Sequence, residues 1–161
     1  MRRSASPALA LLILVALASP AAAANPVNVG SRDGWVATNV TVTAGQPVSV
    51  ITLGSVHTAP IPQFHIPGVF KSASGPAGQD TKPTCGETSS AFPPELLAQT
   101  GPCALDSAYF GELIGRAGGV VFRIGEASSF VAPASGTLEL AVNDLVLTYW
   151  DNAGAFTVVF R

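Results

Sequence analysis

The sequence predicts an all-β protein, an antiparallel β-sandwich or jelly roll, on three observations. Short segments alternate apolar and polar side chains, which is the period of a half-buried strand. The 16 Gly and 13 Pro, set against only 11% charged residues, punctuate those segments as turns do. Long helical patterns do not intervene between the segments, which separates an antiparallel sandwich from an α/β architecture.

The chain opens on a segment read as a signal peptide, residues 1–24. Arg2 and Arg3 form a basic n-region, residues 8–18 an apolar h-region, and residues 21–24 offer an A-x-A cleavage site before Asn25. That run is short for a membrane span, and no later segment reaches the roughly 20 apolar residues that a span needs. The expectation is a secreted or periplasmic protein without a membrane span. Removing 24 of the 161 residues leaves 137, residues 25–161, enough for one domain with a substantial core.

In "ATNVTVTAGQPVSVITLG", Val40 and Val42 precede a turn at residues 44–47 and Val48 and Val50 follow it, which reads as a β-hairpin. The alternation returns in "GELIGRAGG", "VVFRIGEASSFVAP", "GTLELAVND" and "GAFTVVF". In the last two, Leu138, Leu140 and Val142, then Phe156, Val158 and Phe160, share a face. Residues 71–106 break the pattern, being rich in Ser, Gly, Pro and Thr, with "PPELLAQT" as the one candidate helical turn. This insertion carries both cysteines, Cys85 and Cys103. An even count in an oxidising compartment favours a disulfide, which would staple a loop of about 18 residues. Redox or metal chemistry is the weaker reading, because C-x-x-C spacing is absent.

Charge excludes some partners. Without the leader, 6 basic residues face 10 acidic ones, a net of −4, and no Lys/Arg cluster exists to hold nucleic acid or an anionic membrane. Arg116 and Arg123 read as solvated strand residues. Asn39-Val40-Thr41 is a glycosylation sequon, informative in a eukaryotic source.

The chemistry concentrates in "VNDLVLTYWDNAGAF", where Asn143-Asp144 is mirrored by Asp151-Asn152. If the flanking strands are neighbours, chain reversal brings two carboxylates together, and no Lys or Arg occurs between residues 124 and 160 to separate them. A hard divalent cation would. Calcium takes 6 to 8 oxygen ligands in tolerant geometry, and this loop supplies carboxylates, amides and carbonyls. Magnesium fits less well, since it retains its waters. Alternatively, Asn and Asp serve here only as turn formers, and the spacing is not that of an EF-hand.

The motifs "GELIGRAG", "APASG", "VND", Thr148, "DN" and "AGAF" occur in the order found in the C-terminal half of the PA-I-like family, small calcium-dependent, galactose-binding bacterial lectins, which this chain resembles. "VTAGQPVSVITLGSVHTAP" is similar to that family's N-terminal hairpin. The resemblance covers roughly residues 38 to 60 and 109 to 161 and implies a galactose-binding-domain-like sandwich. It implies a calcium site made by Asp144, by the Thr148 backbone carbonyl, by the side chains of Asp151 and Asn152, and by the backbone carbonyl of Thr58. It implies sugar binding at Asp144, Thr148 and Asp151, with hydroxyls taking the open coordination positions in place of water. It also implies a homo-oligomer, whose avidity would strengthen weak sites. The family's second sugar-contacting loop, with its His and Gln, is not matched; the cysteine-bearing insertion occupies that interval. Trp150 replaces a small residue of the family, and either stacks on a sugar face, obstructs the site or covers the sandwich end.

Three other readings compete. A blue-copper centre needs two His, one Cys and usually a Met, but the single Met is the initiator and neither His57 nor His65 follows a Cys. No G-x-S-x-G elbow exists, and paired carboxylates on a short loop give little room for a glycosidase cleft, so a non-enzymatic protein is expected. A structural or adhesive module could keep the sandwich and use calcium only to stiffen a loop, or bind no metal.

Overall fold

The computed structural model of the protein describes residues 25–58, 74–78 and 83–161. The proposed leader, His65 and parts of the 71–106 insertion lie outside these residues. Eight strands form two four-stranded antiparallel sheets: β1 (Val27–Gly30), β2 (Val36–Val42), β3 (Pro47–His57), β4 (Leu113–Ala117), β5 (Val120–Arg123), β6 (Ser129–Val131), β7 (Gly136–Val142) and β8 (Ala153–Phe160). One sheet runs β1-β8-β3-β6, the other β2-β7-β4-β5. The all-β sandwich expected from alternation is thus the architecture observed.

Inward residues of both sheets make the core. Val29, Val50, Val56, Phe156 and Val158 face Val42, Leu113, Leu138 and Leu140, all essentially buried. Branched and aromatic side chains suit this pleated, half-buried surface, and their burial is the main favourable term. Between β4 and β5 the chain reverses on Gly118 and Gly119, with φ of 54° and 81°. Two consecutive positive φ angles match the twist of the flanking strands, and glycine adopts them without strain.

Two expected pairings are corrected. β2 and β3 do not form a hairpin, because β2 pairs with β7 whereas β3 pairs with β8 and β6. The turn between them carries the chain from one sheet to the other. β7 and β8 are likewise in opposite sheets. The segment joining them, residues 143–152, therefore crosses one end of the sandwich.

The insertion has order of its own. Two short helices, α1 (Cys85–Ser89) and α2 (Pro94–Thr100), surround the Cys85–Cys103 disulfide. A capping box starts α1: Thr84 Oγ1 accepts from Glu87 N, and Glu87 returns a carboxylate to Thr84 N. Cys85, Phe92, Leu96, Cys103, Phe110 and Leu145 form a satellite core. Ala108 packs on Ile114 and Ala141, covering the outer face of β4 and β7. Among the described residues no helix is long and apolar enough to cross a membrane.

Arg116 and Arg123 are strand residues with partly exposed side chains, as expected, and both are also paired with acids. Arg116 donates two hydrogen bonds to Glu139, its cross-strand partner, at 2.8 and 2.9 Å, and lies 4.5 Å over the Trp35 ring. Arg123 donates to the buried Glu112 at 2.7 Å.

Candidate metal and ligand site

Four buried polar residues lie in the crossing segment: Asn143, Asp144, Thr148 and Asn152. They divide into a staple and a site. Asn143 belongs to the staple. Its Oδ1 accepts from Leu105 N at 2.8 Å, and its Nδ2 donates to the carbonyls of Leu105 and Tyr109, both at 3.1 Å. Asn143→Ala would leave these part-buried backbone groups without their side-chain partner. It is expected to lower unfolding free energy by about 3 kcal/mol, read from denaturant melts.

Asp144 points the other way. Its Oδ1 accepts from Leu145 N at 2.7 Å and its Oδ2 from Asn152 Nδ2 at 2.7 Å. Burial is the largest influence on this carboxyl and pushes it up to about 7; the Asn152 and Leu145 hydrogen bonds oppose that, and the charge of Asp151 adds to it. The two acids are therefore close enough to feel each other. Both carboxylate oxygens of Asp151 are buried and have no hydrogen-bond partner, and burial raises this carboxyl too. Its own N–H is committed to the Thr148 carbonyl at 3.1 Å. The buried Tyr149 hydroxyl also lacks a partner, and burial together with the charge of Asp144 raises this phenol above its ordinary range.

The remaining expected residues fall around this pair. Thr148 is buried, and its hydroxyl donates to the Leu145 carbonyl at 3.0 Å. Asn152 Nδ2 also donates to the Ser31 carbonyl at 3.1 Å. β3 and β8 stay in register to the His57–Ala153 pair, and one further step sets the buried Thr58 beside Asn152. Trp150 stands on the 3-10 turn Tyr149–Asp151 and is 64% exposed, near the exposed Val146 and Leu147. His57 is exposed at the end of β3.

One residue escaped sequence reasoning. Although residues 124–160 carry no Lys or Arg, the turn after β1 brings Arg32 to this end of the sandwich. Its Nε donates to the Asn152 carbonyl, and its charge partly offsets the rise in the Asp151 carboxyl. Arg32 forms no ion pair with any acid among the described residues. Asp151 keeps its orphaned oxygens. Beside Arg32 lies a pocket of about 450 Å³ lined by Gly30, Ser31, Arg32, Asp33, Ala153 and Gly154.

The donors suit calcium in kind. Two carboxylates, an amide oxygen and nearby carbonyls form an all-oxygen set, and the partnerless oxygens of Asp151 are what a cation would satisfy. Among the described residues no three His, Cys, Asp or Glu cluster to hold a metal, so the set depends on Asn152 and carbonyls.

The stapled insertion braces this loop. Ala104 N donates to the Asp144 carbonyl at 2.9 Å, Val146 N to Pro102 O and Leu147 N to Thr100 O, each at 3.0 Å. Replacing Cys85 and Cys103 with serine is expected to lower stability by about 3 kcal/mol, from the closed-loop entropy alone. Thermal melts of the double variant check this.

No protein-family model and no curated protein matches the chain. Solved structures do. The EclA N-terminal domain, described as a PllA-like lectin, superposes with a TM-score of 0.53 at 21% identity, over 84% of this chain and 93% of that one. At that identity the likeness establishes a shared fold: this chain and that domain have the same β-sandwich.

Proposed function

We propose that this chain is an exported, calcium-dependent carbohydrate-binding protein, lectin-like and of galactose type, with its site on residues 143–152. The observation that carries this reading is the pair of the buried Asp144 and the half-buried Asp151, whose charge reaches Asp144 and whose two carboxylate oxygens are buried with no partner. Such an arrangement is costly without a cation. In the proposed site, Asp144, Asp151 and Asn152 supply side-chain oxygens, and Thr148 and Thr58 supply carbonyls. The bound ion would offer open coordination positions to sugar hydroxyls. Asp144, Thr148 and Asp151 would orient those hydroxyls, and the exposed ring of Trp150 is available to stack on a sugar face. Export is supported by the Cys85–Cys103 disulfide and by the leader-like residues 1–24. The fold of the PllA-like lectin domain supports the carbohydrate reading.

Metal-stripped protein applied to galactose-bearing resin and to a glycan array tests it. The expected result is retention with calcium and release by chelator. Calcium binding with no glycan retained would point instead to the structural or adhesive module. Neither calcium nor glycan binding would remove the reading altogether.

A further inference from the structure

We infer that the pocket at Arg32 is an anion subsite that selects acidic sugars, hexuronates first, over their neutral counterparts; this rests on the carbohydrate-binding reading above. The pocket is contiguous with the proposed site, since its lining residues Ala153 and Gly154 follow Asn152 directly. Arg32 is exposed and anchored, because its Nε donates to the Asn152 carbonyl. Its other guanidinium N–H groups have no hydrogen-bond or ion-pair partner among the described residues. A guanidinium fixed at one nitrogen presents its remaining donors in a rigid plane, the geometry that a carboxylate matches with two parallel hydrogen bonds. Little side-chain freedom is then left to lose on binding.

The surrounding charge narrows the ligand class. Asp33, also in the lining, holds its Oδ2 on the Gly30 N–H at 3.1 Å and makes no ion pair with Arg32 among the described residues. With Asp144 and Asp151 nearby, a bare inorganic anion would gain one cation and face three acids. A hexuronate carries both kinds of group needed: its carboxylate suits Arg32, and its ring hydroxyls can donate to Asp33. Backbone-dominated walls at Gly30, Ala153 and Gly154 leave room for a ring.

Calorimetry on matched pairs tests the subsite: galactose with galacturonate and glucose with glucuronate, calcium present, at low and at physiological salt. The uronate of at least one pair should bind about fivefold more tightly at low salt, the scale of an exposed charge pair. The advantage should shrink as salt rises. Arg32→Gln should bring that ratio to about one, whereas Arg32→Lys, which keeps the charge but loses the anchored planar pair of donors, should leave a ratio between that and the parent's. Because the readout is a ratio within one variant, a general weakening of the loop does not imitate the effect. Neutral sugars binding as tightly as their uronates, or a preference that survives in Arg32→Gln, would overturn the subsite while the carbohydrate reading stands. If no member of either pair binds and the glycan array is also blank, both fall together.

Discussion

Asp151→Ala is expected to abolish the calcium-dependent rise in melting temperature while leaving the metal-free protein at least as stable as the parent. The two halves have opposite signs for one reason. Without a cation, both carboxylate oxygens of Asp151 are buried and unpaired, a desolvation burden of about 1–3 kcal/mol, more when ionised. Truncation relieves it. With a cation, those oxygens become ligands, and saturation at about a hundred times Kd stabilises the parent by roughly 2.7 kcal/mol. That gain vanishes in the variant. An aspartate serving only as a turn former would instead lose stability by the same amount with or without calcium. Paired thermal melts in calcium and in chelator distinguish the two patterns.

The second large effect is a reversed pH dependence in the metal-free protein. Burial raises the Asp144 carboxyl from its ordinary 3.8 to about 7, so between those values the folded state binds a proton that the unfolded state has released. Stability therefore falls as pH rises from about 4 to about 7, with a limiting slope of about 1.4 kcal/mol per pH unit. Asp151, also raised by burial, adds to the same trend. Glu139 acts oppositely. Its hydrogen bonds from Arg116 hold its carboxyl below the usual range, so the stability it contributes is present above the unfolded pKa and lost as pH falls through the folded one. With side chains 33% and 30% exposed, that pair contributes at most about 1 kcal/mol, below the window of Asp144. Calcium should flatten the slope by favouring the ionised carboxyl, and Asp144→Ala should flatten it without calcium. Chemical denaturation of stripped protein at pH 4.5, 6 and 7.5 reads the trend; stability constant or rising over that range would contradict it.

Alternation made the strand faces legible and left strand partners illegible. Leu138, Leu140, Phe156 and Val158 point inward as their spacing requires, yet a period of two says only which side faces the core. Hence residues 37–50 looked like a hairpin, while β2 and β3 enter opposite sheets. "PPELLAQT" announced α2 through its prolines, but α1 carried no comparable apolar signal and rests on its capping box and the disulfide. In the mirrored motif, composition flagged four polar residues alike; tertiary contacts alone show Asn143 turned away to hold residues 105 and 109. Arg32 was invisible for the same reason, being 120 positions from Asn152 in sequence and hydrogen-bonded to it in space. The lack of Lys and Arg in residues 124–160 was a correct count, but the inference that no positive group comes near did not hold.

The most direct measurement is a calorimetric titration of calcium into metal-stripped protein at pH 7.5, run beside the Asp151→Ala variant. Expected is one ion bound per chain in the parent, heat absent in the variant, and reversal by chelator. A parent chain that gives no binding heat and no change in melting temperature at millimolar calcium would contradict a cation between Asp144 and Asp151.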